Sequence, residues 1–402
     1  MVSSRSGRVS ESRPRVGPRT YLLGGIGALS TFDPSLATIV GAVGGAAILL
    51  FSNLARFKVT APVASMFFLV VWTSLSGLWS VNPYSVNVTI TWVAVGLLFI
   101  SGLHLVQTRE QLRAVAIGYL LGSFLAVVRL LIENPGDLTG SASTRVTTVF
   151  EDVNVNYVAY ALATGFALVV LLWNSATRLT LRSRVGLIAT ALAIVIGIVL
   201  TETRGALIGV VCAAIWIVLW RLFRIRTLVP ITLALIIATI VVVSGVADLA
   251  SLQFETGDRA TGTWSGRLPL WDSARTLWAE HPIVGVGASG FAYASGYLIA
   301  AHNVILDLAV GVGIIGVILY VWVLRSALWT GTRTMPGSNR ALMIGTFIAV
   351  SAPIYLTGAW VTAPAAWVAL VLFARVTVLT TSTSSKDDLR GEGTTEAQYS
   401  GR

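Results

Sequence analysis

The sequence predicts an all-α polytopic membrane protein with about twelve transmembrane helices and an outer loop containing an interfacial amphipathic helix. Three observations predict it. Hydrophobic residues fill 55% of the 402 positions and charged residues only 11%, where soluble domains carry about a quarter. Apolar runs approaching the roughly 20 residues that cross a bilayer recur along nearly the whole chain. Basic residues gather in alternate loops, as retention of Lys and Arg on the cytoplasmic side requires.

Taken in order, residues 1–19 are polar with five arginines and read as a disordered basic cytoplasmic tail. The apolar run after them mimics a signal peptide, but with so many helices behind it an uncleaved first span is more economical. Spans are expected near 20–32, 36–52, 61–79, 86–106, 113–132 and 156–173. Further spans follow near 185–201, 204–220, 227–247, 302–324, 341–356 and 359–380. The first is short and could merge with the second. Basic loops alternate throughout only if the two are separate passes, which gives twelve spans and two cytoplasmic termini. Residues 20–380 then form the transmembrane domain, with 248–301 as its long outer loop. The Ser-, Thr-, Gly- and acid-rich stretch 381–402 reads as a second disordered cytoplasmic tail.

Sorted on this topology, 22 basic and 6 acidic residues lie inside, against 5 basic and 11 acidic outside, with Arg129 and Asp307 within spans. The net +10 is therefore a topology signal and not a nucleic-acid footprint. The outer arginines, Arg145, Arg204, Arg259, Arg267 and Arg275, oppose the orientation rule, and guanidinium groups suit bidentate phosphate binding. Pairing with outer acids accounts for Arg259 and Arg275, and snorkelling for Arg129. The single cysteine, Cys212, excludes an internal disulfide and reads as a small packing residue. The three histidines, His104, His281 and His302, are scattered, so no metal site and no cofactor are expected.

Four outer segments hold the polar residues. In Arg145–Ala159, Asn154 and Asn156 stand near a helix start, where they could simply cap it. In Thr201–Gly205, Arg204 opens a helix whose N-terminus already favours anions. Alternatively Arg204 is an interfacial anchor. In Ser265–Pro282, Leu268, Trp271, Ala274/Arg275 and Trp278 recur at helical spacing. They predict an amphipathic helix in the interface, with tryptophans at headgroup depth, Ser265 as N-cap and Arg267 in the first turn. The following Gly285–Gly290 is formally G-x-G-x-x-G, yet no strand precedes it, so a dinucleotide site is rejected. A bend whose amides, at Gly285 and Gly287, approach an anion is the better reading. The fourth segment is His302-Asn303, with Asp307 four residues beyond Asn303 on the same helix face. His302 is a candidate base or an interfacial polar cap. Asp307, an intramembrane acid, is functional by default or orients its neighbours.

Together these stretches resemble the O-antigen ligase and O-antigen polymerase superfamily of bacterial envelope glycosyltransferases. The match rests on Arg204–Ala206, on Ser265 to Phe291, and on His302-Asn303 with Gly313-x-x-Gly316; Phe150–Asn156 fits more loosely. The resemblance implies transfer of a saccharide from an undecaprenyl diphosphate carrier to an acceptor hydroxyl, on a glycan or lipid-glycan, at the outer face of the bacterial inner membrane. It implies inversion and no nucleotide sugar. It carries Arg204 and Arg267 over as clamps for the diphosphate and His302 as the group that orients or deprotonates the acceptor. Arg145, Asn154, Asn156, Gly285, Gly287, Asn303 and Asp307 complete the expected substrate-binding set. Arginines in place of a metal make the expected chemistry metal-independent. The expected partners are the lipid-linked donor, the acceptor, the bilayer and other envelope polysaccharide-synthesis proteins. Between Phe291 and His302 this chain has about ten residues where many relatives carry a longer external segment, which leaves polymerase and ligase both open. A secondary transporter or lipid-linked saccharide flippase is the alternative from another class. Two intramembrane charges are few for ion coupling.

Overall fold

The computed structural model describes residues 17–51, 58–133, 148–149, 153–175, 179–201, 203–223, 267–358 and 360–377. In chain order the helices are α1 (Pro18–Phe32), α2 (Pro34–Phe51), α3 (Ala61–Ser76), α4 (Ser85–Leu105), α5 (Arg109–Glu133), α6 (Val155–Ser175), α7 (Leu181–Leu200) and α8 (Arg204–Phe223). After an interval come α9 (Arg267–Glu280), the single turn α10 (Phe291–Ala294), α11 (Val304–Thr332), α12 (Gly337–Thr357) and α13 (Pro364–Ala374). Before α6, β1 (Thr148–Val149) and β2 (Val153–Asn154) form a minimal antiparallel ladder. Among the described residues seven helices are long and apolar enough to cross a membrane, namely α4 to α8, α11 and α12. The chain is a multi-pass membrane protein. The expected span at 227–247 lies outside the described residues.

Two expectations shift. Pro18 and Arg19, assigned to the N-terminal tail, already belong to α1, because proline suits the first helical turn. The expected span 359–380 shortens to α13, with Pro364 at its start. There the phenolic oxygen of Tyr157 accepts from the Ala365 amide (3.2 Å) and donates to the Ser30 carbonyl (2.6 Å). One hydroxyl thus joins the end of α1 to the starts of α6 and α13.

Helix packing depends on small residues, since lipid gives no hydrophobic drive between helices. A Cβ at Gly118 or Gly122 of α5 would run into the Gly24 or Ala28 carbonyl of α1. A Cβ at Gly209 of α8 would likewise be crowded by the Val350 carbonyl of α12. Almost every side chain of α13 is buried, and its Trp367 meets the rings of Phe99 (5.6 Å), Tyr320 (6.0 Å) and Trp92 (6.4 Å). By contrast Val185, Ile188, Leu192, Ile196 and Val199 of α7 form an exposed apolar stripe suited to lipid.

The bundle has two chemically different ends. Arg19, Lys58, Arg333, Arg340 and Arg375 flank the starts of α1, α3 and α12 and the ends of α11 and α13. Arg19 there donates to the Leu105 carbonyl at the end of α4 (3.3 Å). The opposite end collects the starts of α4, α6, α8, α11 and α13, and with them the candidate site.

Candidate active site

The floor of the site comes from a broken helix. Gly313 in α11 has φ 68°, ψ −174°, which interrupts the helical ladder. A regular helix would pair the Ile314 amide with the Val310 carbonyl. Here the Ile314 amide donates to Pro282 (2.9 Å), and the Val310 carbonyl accepts from Val286 (2.8 Å). Both orphaned groups are taken up by the bend that follows α9. Trp72 of α3 donates its indole N–H to the Val312 carbonyl (2.8 Å). The turn between α3 and α4 closes the other side. Ala288 donates to Ser76 Oγ (3.1 Å), Val81 to the Val286 carbonyl (3.3 Å) and Ser80 Oγ to the Ala288 carbonyl (3.2 Å).

The bend 285–290 is therefore a packing seam. Gly285 and Gly287 are buried with φ 71° and 94°, a region disfavoured for residues with a side chain. A Cβ at Gly287 would collide with the Ser80 backbone. The amides of Gly285, Val286, Ala288 and Gly290 already donate to His281, Val310, Ser76 and Gly287. The bend presents Ser289 outward instead, exposed and also left-handed at φ 52°.

His302 stands on this floor between two fixed neighbours. The Ala301 carbonyl accepts from the Trp271 indole (3.1 Å), and the Ala301 amide donates to Asp307 Oδ1 (2.8 Å). Asn303 is fully buried, and its Oδ1 accepts from the Ile305 and Leu306 amides (both 3.1 Å), capping α11. Its Nδ2 is buried with no partner among the described residues. Held between them, half-buried His302 takes φ 53°. A left-handed non-glycine residue is uncommon and costs about 1–3 kcal/mol, a strain that clusters at functional sites. Burial and then the nearby Arg267 guanidinium push the His302 pKa below its ordinary value. The imidazole is thus kept neutral at neutral pH.

Helix α9 brings Arg267 there. It buries Leu270, Trp271 and Ala274 and exposes Asp272 and Thr276. Trp271 is only 1% exposed. This indole faces the protein interior, where its N–H finds the Ala301 carbonyl. Arg275 pairs with Asp272 (3.2 Å), as expected for an outer arginine among acids. Arg129 lies over the Phe32 ring, 5.4 Å from its centroid.

Beside Asp307 opens a cavity of about 160 Å3 whose lining includes Trp92, Ser289, Phe291, Val361 and Thr362. A second polar group stands at the starts of α6 and α8. Thr203 Oγ1 donates to Asn156 Oδ1 (3.1 Å), and exposed Arg204 begins α8. The next residue, Gly205, packs on Thr357, whose carbonyl accepts from Tyr160 OH (3.2 Å). Trp360 meets the Tyr157 ring at a tilt and the Tyr160 ring edge-on, centroids 5.0 and 5.4 Å away. Val361 and Thr362 then reach the Asp307 cavity, so the segment after α12 links the two groups.

All the site residues inside the description gather at one end of the bundle. The structure brings His302, Arg267, Asn303 and Asp307 together, and sets Arg204 beside the Thr203–Asn156 pair. Asn156 lies in the first turn of α6 instead of capping it. Asn154 pairs through its backbone with Thr148. Arg145, Arg259 and Ser265, and the side chain of Asn154, lie outside the described residues. Sequence reading missed Trp271's bonding role, Thr203, Ser289 and the Trp360–Thr362 segment. Of these Thr203 stood within T-E-T-R-G, Ser289 within the glycine-rich bend and Trp271 within the amphipathic pattern, whereas the Trp360–Thr362 segment had no signal beside it.

Residues 188–321, a third of the chain, match the family model described as O-antigen ligase. Over that stretch the chain is similar to the O-antigen ligase family. No curated protein matches the chain. The matched stretch contains Arg204, Arg267, His302, Asn303 and Asp307, and ends inside α11. It supports a membrane glycosyltransferase of the O-antigen ligase or polymerase type.

Proposed function

We propose that the protein transfers a saccharide from undecaprenyl diphosphate to an acceptor hydroxyl at the outer face of the bacterial inner membrane, without a metal ion. The observation that carries this reading is Arg267 beside a neutral His302 held in a left-handed conformation. The acceptor oxygen attacks the anomeric carbon while its proton passes to the imidazole. The bond from that carbon to the diphosphate oxygen breaks, and the lipid diphosphate leaves. Arg267 and Arg204 stabilise the negative charge that grows on it. Attack opposite the leaving group inverts the anomeric centre. Asp307 and Asn303 act as positioning residues through the loop that carries His302. The Asp307 cavity, with Trp92 and Thr362 in its lining, offers a site for a sugar ring. The acidic charge balance at this end and the basic one opposite support the outward orientation.

Membranes containing the protein should consume lipid-linked saccharide and form glycan product, and Arg267→Ala or His302→Ala should abolish both. Normal turnover in these variants rejects the assigned roles. Uptake into proteoliposomes without glycan product would favour a transporter.

A further inference from the structure

At the end of the bundle opposite the candidate site lies a second cavity, of about 330 Å3. Its polar lining is Lys58 before α3, Thr60, His104 in the last turn of α4, Gln107, Thr330 near the end of α11, and Arg375 after α13. Among the described residues no carboxylate lines it. Val63, Ile100 and Leu103 supply an apolar wall.

Cations near helix C-termini can simply serve the terminal carbonyls. Arg340, at the same end, does so by donating to the Thr332 (3.2 Å) and Arg333 (2.6 Å) carbonyls. Arg375 differs. Its Nε is sealed from solvent and meets no acceptor among the described residues. A buried donor left open calls for a ligand, and guanidinium, ammonium and imidazole around one cavity select an anion.

We propose that this cavity binds a phosphate group, with Arg375 and Lys58 as its main contacts. The apolar wall suits a phosphate carried on a lipid, and basic pockets between transmembrane helices bind such headgroups. The reading is independent of the transferase chemistry, because none of its residues belongs to the candidate active site.

The test follows thermal unfolding of the detergent-purified protein with phosphatidylglycerol, phosphatidylcholine or inorganic phosphate added. Phosphatidylglycerol is expected to raise Tm by several degrees over phosphatidylcholine. Arg375→Gln and Lys58→Gln should each lose that rise, while Arg182→Gln, at the exposed start of α7, keeps it. Inorganic phosphate producing the same rise supports the site with free phosphate as its occupant. The proposal is overturned if neither phosphate source shifts Tm. It is also overturned if Arg182→Gln weakens the rise as much as Arg375→Gln, which marks diffuse attraction. Lys58 is exposed and precedes α3, so its variant keeps the test valid should Arg375→Gln fail to fold.

Discussion

The indole of Trp271 donates to the carbonyl of Ala301 across 3.1 Å, tying the helix that begins at Arg267 to the residue before His302. Trp271→Phe keeps most of the ring and removes the donor, leaving a buried carbonyl unpaired at a cost of about 1–3 kcal/mol. The variant should fold, with a modest fall in Tm and a transfer rate lowered about tenfold. Trp271→Ala should cost about 3–5 kcal/mol and yield little folded protein. Tm and glycan turnover, measured side by side, check both.

The pKa of His302 is lowered by burial and by Arg267, so the imidazole loses its proton more readily folded than unfolded. Transfer should be flat above pH of about 6.5 and fall as pH drops through the depressed value. Between the two values the unfolded chain binds more protons, so this residue's contribution to stability declines as pH falls below its ordinary value. His302→Gln should flatten the acid limb of its residual rate. A pH–rate profile of both proteins decides it.

Asp307 holds the His302 loop through the Ala301 amide. Asp307→Asn retains an oxygen acceptor there and should keep turnover within about tenfold of wild type, whereas Asp307→Ala frees the loop and should lower it by about 100-fold or more, a difference of at least about 1.4 kcal/mol in the barrier. Equal losses in both variants would assign the role to the charge instead of the tether.

Gly313 and Gly296 both have positive φ, 68° and 75°, but only the first is crowded. A Cβ at Gly313 would meet the Ile283 carbonyl, while nothing lies within 4 Å of one at Gly296. Gly296→Ala should cost only the backbone term of about 1–2 kcal/mol. Gly313→Ala must also displace the bend and should abolish transfer. Limited proteolysis near residue 283 would report the displaced segment.

Much of this architecture could be read from the chain because a span is a local property. Helices such as Leu181–Leu200 and Gly337–Thr357 lie close to their apolar runs. Hydropathy overextended α13 because it does not register that Tyr157, more than 200 positions away, supports its first turn. The motif residues His302, Arg267 and Arg204 were visible as types in a pattern. The nearness of Arg267 to His302 was not, since it depends on a bond between Trp271 and Ala301. The spacing of Trp271 suited an interfacial helix equally well. Likewise the glycines of 285–290 announced a tight bend, but not that α3 and a break at Gly313 would take up its amides and carbonyls.

The seam beneath His302 joins Ser76 to Asn82, Pro282 to Ser289 and Val310 to Ile314, pieces spread across more than half of the chain. During synthesis the earlier helices can enter the bilayer while this floor still lacks its final wall. The candidate site therefore comes into being only when α11 is in place, late in translation. A chain that ends before α11 carries Arg204 and even Arg267 without the floor on which His302 stands.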